Sequence, residues 1–463
     1  MAASVQNDYS NRIFLFASIT CALVVTALHL FKYWPVGHAG NTYVFLHFAL
    51  SAAMVAVWLS PRLDVRSLLI LGVVLRLALI PTAPISSNDM ERYLWDGAVA
   101  LGGLDPYSVA PNSPLVEDLR EHWATPPEHT KYPTLYPPAA LSIFAASALG
   151  GPLLGVWIWK VVAALAGILS LFVMKQVAKH YQQERHLPLF ALSPLLLLET
   201  GVGGHLDALL VLGLSLILYC HAKEKWGRLG LALGWCACVK FLPIVLLAPL
   251  FFVVPVRAFA KLLSTCLVVI VSTYAGALTL GYKPIGILPT FFEKWRFTSP
   301  FYQLLEYACG PEQVAFALAA LALVGVITSC LAARKSALAG FAIVLSTPLL
   351  LSPVVFPWYL MTLVPLLALR PSVTLISWVS AVPLSYVVLN RWLAERLWEP
   401  AQWPVIVIGV VLITGPVLDF ARLRIAQRTL SAPKKQLLMG HLQHPNPKSD
   451  KSNYLSGATS VNH

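Results

Sequence analysis

Apolar positions along this chain come in runs, not alternations. They fall near 13–32, 43–60, 67–85, 153–174, 188–200, 205–221, 229–240, 241–256, 262–280, 312–333, 338–352, 356–369, 372–389 and 403–421. Several runs approach or exceed the roughly 18–20 residues that span a hydrocarbon core. The pairs 188–200/205–221 and 229–240/241–256 are shorter and interrupted by Pro or Gly, a pattern tolerated at membrane depth where backbone is buried in protein or lines a cavity. The stretch predicts an all-α, polytopic transmembrane helical bundle of about 12–14 spans. Of 463 residues, 57% are hydrophobic and 12% charged, and the mean hydropathy is +0.70. A soluble domain has no interior large enough for that much apolar surface. Soluble enzymes, disordered tails and nucleic-acid-binding modules are excluded on this ground.

Charge orients the runs. The segment 86–136 holds eight acids (Asp89, Glu91, Asp96, Asp105, Glu117, Asp118, Glu121, Glu128) against Arg92, Arg120 and Lys131, a net charge of −5. The rest of the chain carries +17 of the overall +12. Its bases cluster in short loops: Arg62/Arg66, Lys175/Lys179/Arg185, Lys223/Lys225/Arg228, Arg257/Lys261, Arg334/Lys335 and Arg370. Short basic loops are retained inside, so the long acidic loop lies outside. The run 137–149 covers only about 20 Å as a helix, against about 30 Å of hydrocarbon. If it crossed, the basic loop 175–187 would lie outside, so 137–149 reads as an interfacial or re-entrant helix on the outer side. The expected organisation is a multi-pass membrane domain over 1–425, with an extracytoplasmic loop at 86–151, and a basic, disordered cytoplasmic tail over 426–463. Both termini are expected in the cytoplasm and the protein in the cell (inner) membrane. The first apolar run, from Ile13, reads as a retained span with no cleavable signal pattern. Cys236 and Cys238 lie inside an apolar run and read as small core residues.

Five features could carry chemistry. The first is Ser86-Ser87-Asn88-Asp89-Met90-Glu91-Arg92-Tyr93-Leu94-Trp95-Asp96-Gly97, a short helix with Asn88 as N-cap. Asp89, Arg92 and Asp96 share a face, so an arginine flanked by carboxylates can hold one of them ionised as a base. A solvated, salt-bridged surface helix explains the same residues equally well. The second is Glu199-Thr200-Gly201-Val202-Gly203-Gly204-His205-Leu206-Asp207, where ionisable groups at membrane depth suggest function. Asp207 alone is also explained as a helix first-turn residue. The third is Lys240-Phe241-Leu242-Pro243, at a break between apolar half-helices, where a lysine either snorkels or meets an anion. Lys160 and Arg76 read as structural or snorkelling. The fourth is Glu293-Lys294-Trp295-Arg296-Phe297, with Arg296 beside aromatics as a phosphate or sugar contact. The fifth is Ser352-Pro353-Val354-Val355-Phe356-Pro357-Trp358-Tyr359-Leu360, whose Trp358 and Tyr359 alone read as interface anchors. All five fall on the outer side under one topology.

The ordered strings DMERYLWDG, LDPY, YPTLYPPAA, GHLDALLV, VKFLP and SPVVFPWYL, over roughly 67–370, resemble the glycosyltransferase C superfamily, nearest to bacterial polyprenol-phosphate-mannose-dependent mannosyltransferases. A fainter similarity is to the first mannosyltransferase of glycosylphosphatidylinositol synthesis. The resemblance implies that Asp89 supplies the catalytic carboxylate, with Arg92, Tyr93 and Asp96 supporting. It also implies that the Tyr-Pro-Pro helix lies along the outer surface. The family's last motif carries His before Pro-Trp-Tyr, where this chain has Phe356. The expectation is inverting transfer of a sugar, most readily mannose, from a polyprenyl-phosphate donor to a lipid or glycan acceptor at the extracytoplasmic face. Asp89 and Asp96 form the expected catalytic pair, with Arg92, Tyr93, His205, Asp207, Lys240, Arg296 and Tyr359 binding substrate. No cofactor is expected, and a divalent cation shared by Asp89 and Asp96 is not required. No nucleic acid partner is expected. The competing class is a transporter or lipid flippase, which would show inverted repeats and leave the acidic loop idle.

Overall fold

A computed structural model describes residues 2–125 and 129–442; Glu128 and the tail 443–463 lie outside them. The described residues are helical and contain no strands. Contacts divide the chain into two compact units, and the first, residues 1–415, holds every candidate residue. The chain begins with α1 (Ala2–His29), α2 (Ala39–Leu59) and α3 (Val65–Ala78). The acidic loop follows, with α4 (Asp89–Leu101), the single turn α5 (Glu117–Arg120) and α6 (Pro138–Ala148). Next come α7 (Gly151–His180), the broken pair α8 (Pro188–Ala191) and α9 (Pro194–Gly201), then α10 (Asp207–Ala222) and α11 (Trp226–Val239). A 3-10 turn at Leu242–Leu246 opens α12 (Leu247–Val253), before α13 (Val256–Thr279). The remaining helices are α14 (Leu288–Lys294), α15 (Pro300–Cys309), α16 (Val314–Ala333), α17 (Ala337–Leu351), α18 (Val364–Leu369), α19 (Val373–Ala381), α20 (Leu389–Glu395) and α21 (Gln402–Leu442).

Among the described residues seven helical segments are long and apolar enough to cross a membrane: Gln6–His29, Val36–Leu59, Gly151–His180, Val256–Thr279, Val314–Ala333, Val373–Glu395 and Gln402–Ile425. Their outward faces carry large apolar residues such as Phe16, Leu153, Val268, Phe316 and Ile406. Exposed apolar surface on that scale suits lipid, not water. The other apolar runs form shorter helices, among them Asp207–Ala222, Leu242–Val253, Ala337–Leu351 and Pro357–Leu369. Prolines 188, 194, 243, 357 and 365 stand in the first turn of these short elements. Proline lacks the N–H that a continuing helix needs, but a helix's first turn leaves that group unused. The breaks therefore fall where the prolines permit a new start.

The stretch 137–149 is the helix α6, packed between α4 and α7. Gly97 lets α4 meet α6 at backbone distance, since a Cβ there would run into the Phe144 carbonyl. Arg76 and Lys160, both buried, donate to backbone carbonyls, three of them where helices end or break. Arg76 reaches Gly72 O at 2.8 Å and Ala191 O at 3.0 Å. Lys160 bonds Thr82 O and reaches Gly201 O at 3.0 Å. Neither snorkels: Arg76 ties α3 to the end of α8, and Lys160 ties α7 to the segment after α3 and to the end of α9. The cysteines 236, 238 and 266 are buried and unbridged.

Candidate active site

The site starts with α4. Ser87 Oγ accepts the Asp89 backbone N–H at 3.1 Å, which places the Asp89 carboxylate at the helix entrance. One turn on, the Tyr93 ring is boxed by aromatics. It stacks on Phe144 at 4.6 Å, and Tyr136 and Trp159 meet it edge-on at 5.1 and 5.2 Å. Its hydroxyl donates to Asp89 Oδ2 at 3.4 Å and accepts the Leu206 N–H at 3.5 Å. That bond carries the site across to the glycine-rich break between α9 and α10.

The break is built for close approach. Trp159 Nε1 donates to Gly204 O at 2.6 Å, and the His205 N–H returns to Glu199 O at 2.9 Å. A Cβ on Gly203 would lie 2.5 Å from the His205 ring. His205, fully buried, has Nδ1 3.5 Å from Asp89 Oδ2 and Nε2 3.2 Å from Glu199 Oε2. Asp207 opens α10 with its carboxylate near the positive end of the helix. It pairs with Lys240, whose Nζ lies 2.8 Å from Oδ1 and 3.1 Å from Oδ2. Lys240 is the extended residue after α11, where Pro243 prevents the helix from continuing. Its Nζ also sits 3.9 Å from the centroid of the Tyr359 ring.

The last motif closes over this group. Trp358 stacks on His205 at 3.9 Å and 12°. Phe356 stacks on Trp358 at 4.5 Å, and Phe297 on Phe356 at 4.7 Å. Phe297 N and O bond Pro353 O and Val355 N, at 3.1 and 2.8 Å, holding the segment at 297 to the 353–355 turn through an isolated bridge. Phe356, where the resemblance leads to the expectation of His, is thus a link in an aromatic stack.

The structure therefore joins Asp89, Tyr93, His205, Asp207, Lys240 and Tyr359 through a continuous set of contacts. Arg92 and Asp96 stand apart from it. Arg92 Nε binds Asp96 Oδ1 at 2.9 Å and Nη1 donates to His129 O at 3.1 Å, with both side chains buried. Sequence spacing placed Arg92 between two carboxylates. The i,i+4 carboxylate takes it, and Asp89 has the His205 ring across the chain, with Nδ1 at 3.5 Å. Arg296 is also elsewhere, 3.5 Å from Glu306 and over the Tyr302 ring at 4.8 Å. Three participants escaped the sequence reading: His47, Tyr43 and Tyr386, which surround Glu199 from α2 and the turn before α20. A lone histidine inside an apolar helix was the available signal.

Electrostatics separates the two carboxylates of α4. Burial opposes ionisation of Asp89, but the nearby His205 outweighs it and holds the carboxyl below its ordinary value. Burial pushes Asp96 above its ordinary value, and Arg92 offsets this only in part. Asp89, with a side chain 19% exposed, is the ionised carboxylate that a substrate can reach. It can accept a proton, and the partly exposed Lys240 can face an anion. Among the described residues no group of three or more His, Cys, Asp or Glu side chains is gathered for a metal ion.

No curated protein matches the chain. Residues 14–257 match the family model described as alpha-(1->6)-mannopyranosyltransferase, N-terminal domain, a span that runs from α1 into α13 and contains Asp89, Glu199, His205, Asp207 and Lys240. That match covers more than half of the chain, which belongs to this family of mannosyltransferases.

Proposed function

We propose that this mannosyltransferase takes mannose from a polyprenyl-phosphate donor and passes it, with inversion, to a hydroxyl of a lipid or glycan acceptor at the extracytoplasmic face. The observation that carries the reading is the pairing, in one contact network, of an accessible ionised carboxylate, Asp89, with a partly exposed cation, Lys240. Asp89 takes the acceptor proton as the hydroxyl oxygen attacks the anomeric carbon. The bond from that carbon to the phosphate oxygen breaks, and its electron pair leaves with the lipid phosphate. Lys240 offsets the charge that develops there. General-base assistance contributes on the order of 10²–10⁴-fold, and a preorganised cation on a leaving group acts by the same electrostatic logic as an oxyanion hole. Tyr93 and His205 orient the base, Asp207 holds Lys240, and Tyr359 covers it. Asp96 keeps Arg92, and with it α4, in place.

A lipid-linked donor is supported by the surroundings of Lys240. The next residue, Phe241, borders an apolar cavity of about 450 Å³, lined also by Ile270, Tyr274, Ile285, Leu288 and Phe292. A prenyl chain seated there leaves its phosphate beside the lysine. Charge supports the outward side. The helices beside His205, Lys240 and Tyr359 (α10, α11 and α18) have basic residues at their opposite ends, and Asp89 lies on the long acidic loop.

The test is transfer by the purified protein in liposomes, supplied with radiolabelled polyprenyl-phosphate mannose and native membrane extract as acceptor. Label moving into the extract supports the proposal. Transfer from a nucleotide-linked mannose instead would replace the donor assignment. Label crossing the bilayer without transfer would favour a flippase.

A further inference from the structure

Behind Asp89 lies a row of ionisable groups. Asp89 Oδ2 is 3.5 Å from His205 Nδ1, His205 Nε2 is 3.2 Å from Glu199 Oε2, and Glu199 Oε1 is 3.5 Å from His47 Nε2. Asp89 is 19% exposed, whereas the side chains of His205, Glu199 and His47 are at 0–1%. Ser86 adds a hydrogen bond to Glu199 Oε2 at 3.1 Å. Among the described residues no Lys or Arg forms an ion pair with Glu199. A fully buried carboxylate is costly unless paired, so its counter-charge comes from the imidazoles. His205 has a carboxylate oxygen near each ring nitrogen, with Ser86 Oγ 3.4 Å from Nε2, and only the imidazolium, protonated on both nitrogens, carries a charge that pairs with both carboxylates. Its ring cannot turn freely, with Trp358 stacked on its face and Gly203 against its edge.

We propose that Glu199, backed by His47, is a positioning residue for sugar transfer: it holds His205 as an imidazolium between two carboxylates, which keeps the Asp89 carboxylate ionised and aimed. This rests on the reading of Asp89 as the base. The acceptor proton goes to Asp89 and stays there. His205 keeps both of its protons, and none moves to Glu199. The lowered proton affinity of Asp89 agrees with such a partner. Asp89 is faced by His205 and Tyr93, with His129 and Lys240 acting at longer range. Glu199 is faced by His205, His47, Ser86 and Tyr386, with Tyr43 beside His47. Glu199→Gln leaves all of them in place and removes one charge.

The experiment is the pH profile of transfer by full-length Glu199→Gln in detergent, with unfolding monitored in parallel. Without the inner carboxylate, His205 gives up its proton more readily and Asp89 loses its cation. The expected result is a kcat lowered about tenfold or more with KM little changed, and an acid limb moved up by about one pH unit. Glu199→Asp should return part of that shift. A lowered kcat with an unmoved limb overturns the proposal. If Glu199→Gln fails to fold, Glu199→Asp is read in the same way, with a smaller shift in the same direction expected and no shift overturning. Asp89→Asn separates the two claims. Transfer retained there overturns the base itself, whereas transfer lost there with an unmoved limb in Glu199→Gln overturns only the positioning role.

Discussion

Replacing Lys240 by Met separates what the lysine does for the fold from what it does for the reaction. Met is close in length and keeps contact with Tyr359, but it leaves Asp207 without a counter-charge. The Asp207 side chain is 2% exposed and that of Lys240 is 27% exposed. Breaking a buried pair on one side costs about 3–5 kcal/mol. Because the lysine is partly solvated, the lower end applies, about 3 kcal/mol. Loss of the cation over the Tyr359 ring adds roughly 0.5–1 kcal/mol. Separately, a leaving phosphate deprived of its preorganised cation costs about 10²–10³ in kcat, by analogy with removal of one oxyanion-hole donor. The double variant Lys240→Met/Asp207→Leu removes the orphaned carboxylate as well. It should recover most of the unfolding temperature and none of the transfer rate. The assays are thermal unfolding in detergent and initial rates of label transfer, normalised to folded protein. If the double variant regains both, Lys240 serves only Asp207, and the leaving-group role is wrong.

Four further outcomes are expected. Gly97→Val forces α4 off the Phe144 backbone and should lower stability by about 1–3 kcal/mol, seen as a lower unfolding temperature. Asp96→Asn strips the buried Arg92 of its counter-charge and should lower the unfolding temperature, while transfer per folded molecule falls far less than in Asp89→Asn. An equal fall would make Asp96 part of the chemistry. Asp89, its proton affinity lowered in the fold, contributes stability that is present above the ordinary aspartate value of about 3.9. That contribution is lost as pH falls through the folded value. His205→Gln should therefore flatten the acid side of the stability profile measured by unfolding against pH. A reporter fused near residue 180 should read cytoplasmic, and an extracytoplasmic signal there would reverse the assignment of the outer face.

Much of the architecture is legible in the sequence because lipid makes a strong demand: runs of apolar residues, helices throughout, and bases held to one side. Even the short elements around Pro194, Pro243 and Pro357 declare themselves, since each proline forces a fresh helix start. The string around Asp89 and the His205, Lys240 and Tyr359 motifs could be picked out one by one, as charges or aromatics set at breaks. What local pattern could not give was partners. Helical spacing offered Arg92 to both Asp89 and Asp96, and only packing of α4 on α6 and on the α9–α10 break decides between them. His47 lies 152 positions from Glu199, and nothing nearby in sequence says that its ring meets that carboxylate. Arg296 was chosen for its aromatic neighbours, but Glu306 and Tyr302, one helix further on, occupy it. Phe356 carries the opposite lesson. A change of residue type that removes an ionisable group leaves a ring that the stack on Trp358 still uses.

The central claim is that Asp89 accepts the acceptor's proton. It is tested most directly by Asp89→Asn, an isosteric change, in a reconstituted transfer assay beside the wild-type chain. The expected result is a rate reduced about 10²–10⁴-fold, with unfolding and membrane insertion near those of the wild type. A folded Asp89→Asn protein that transfers mannose at close to the normal rate would contradict it.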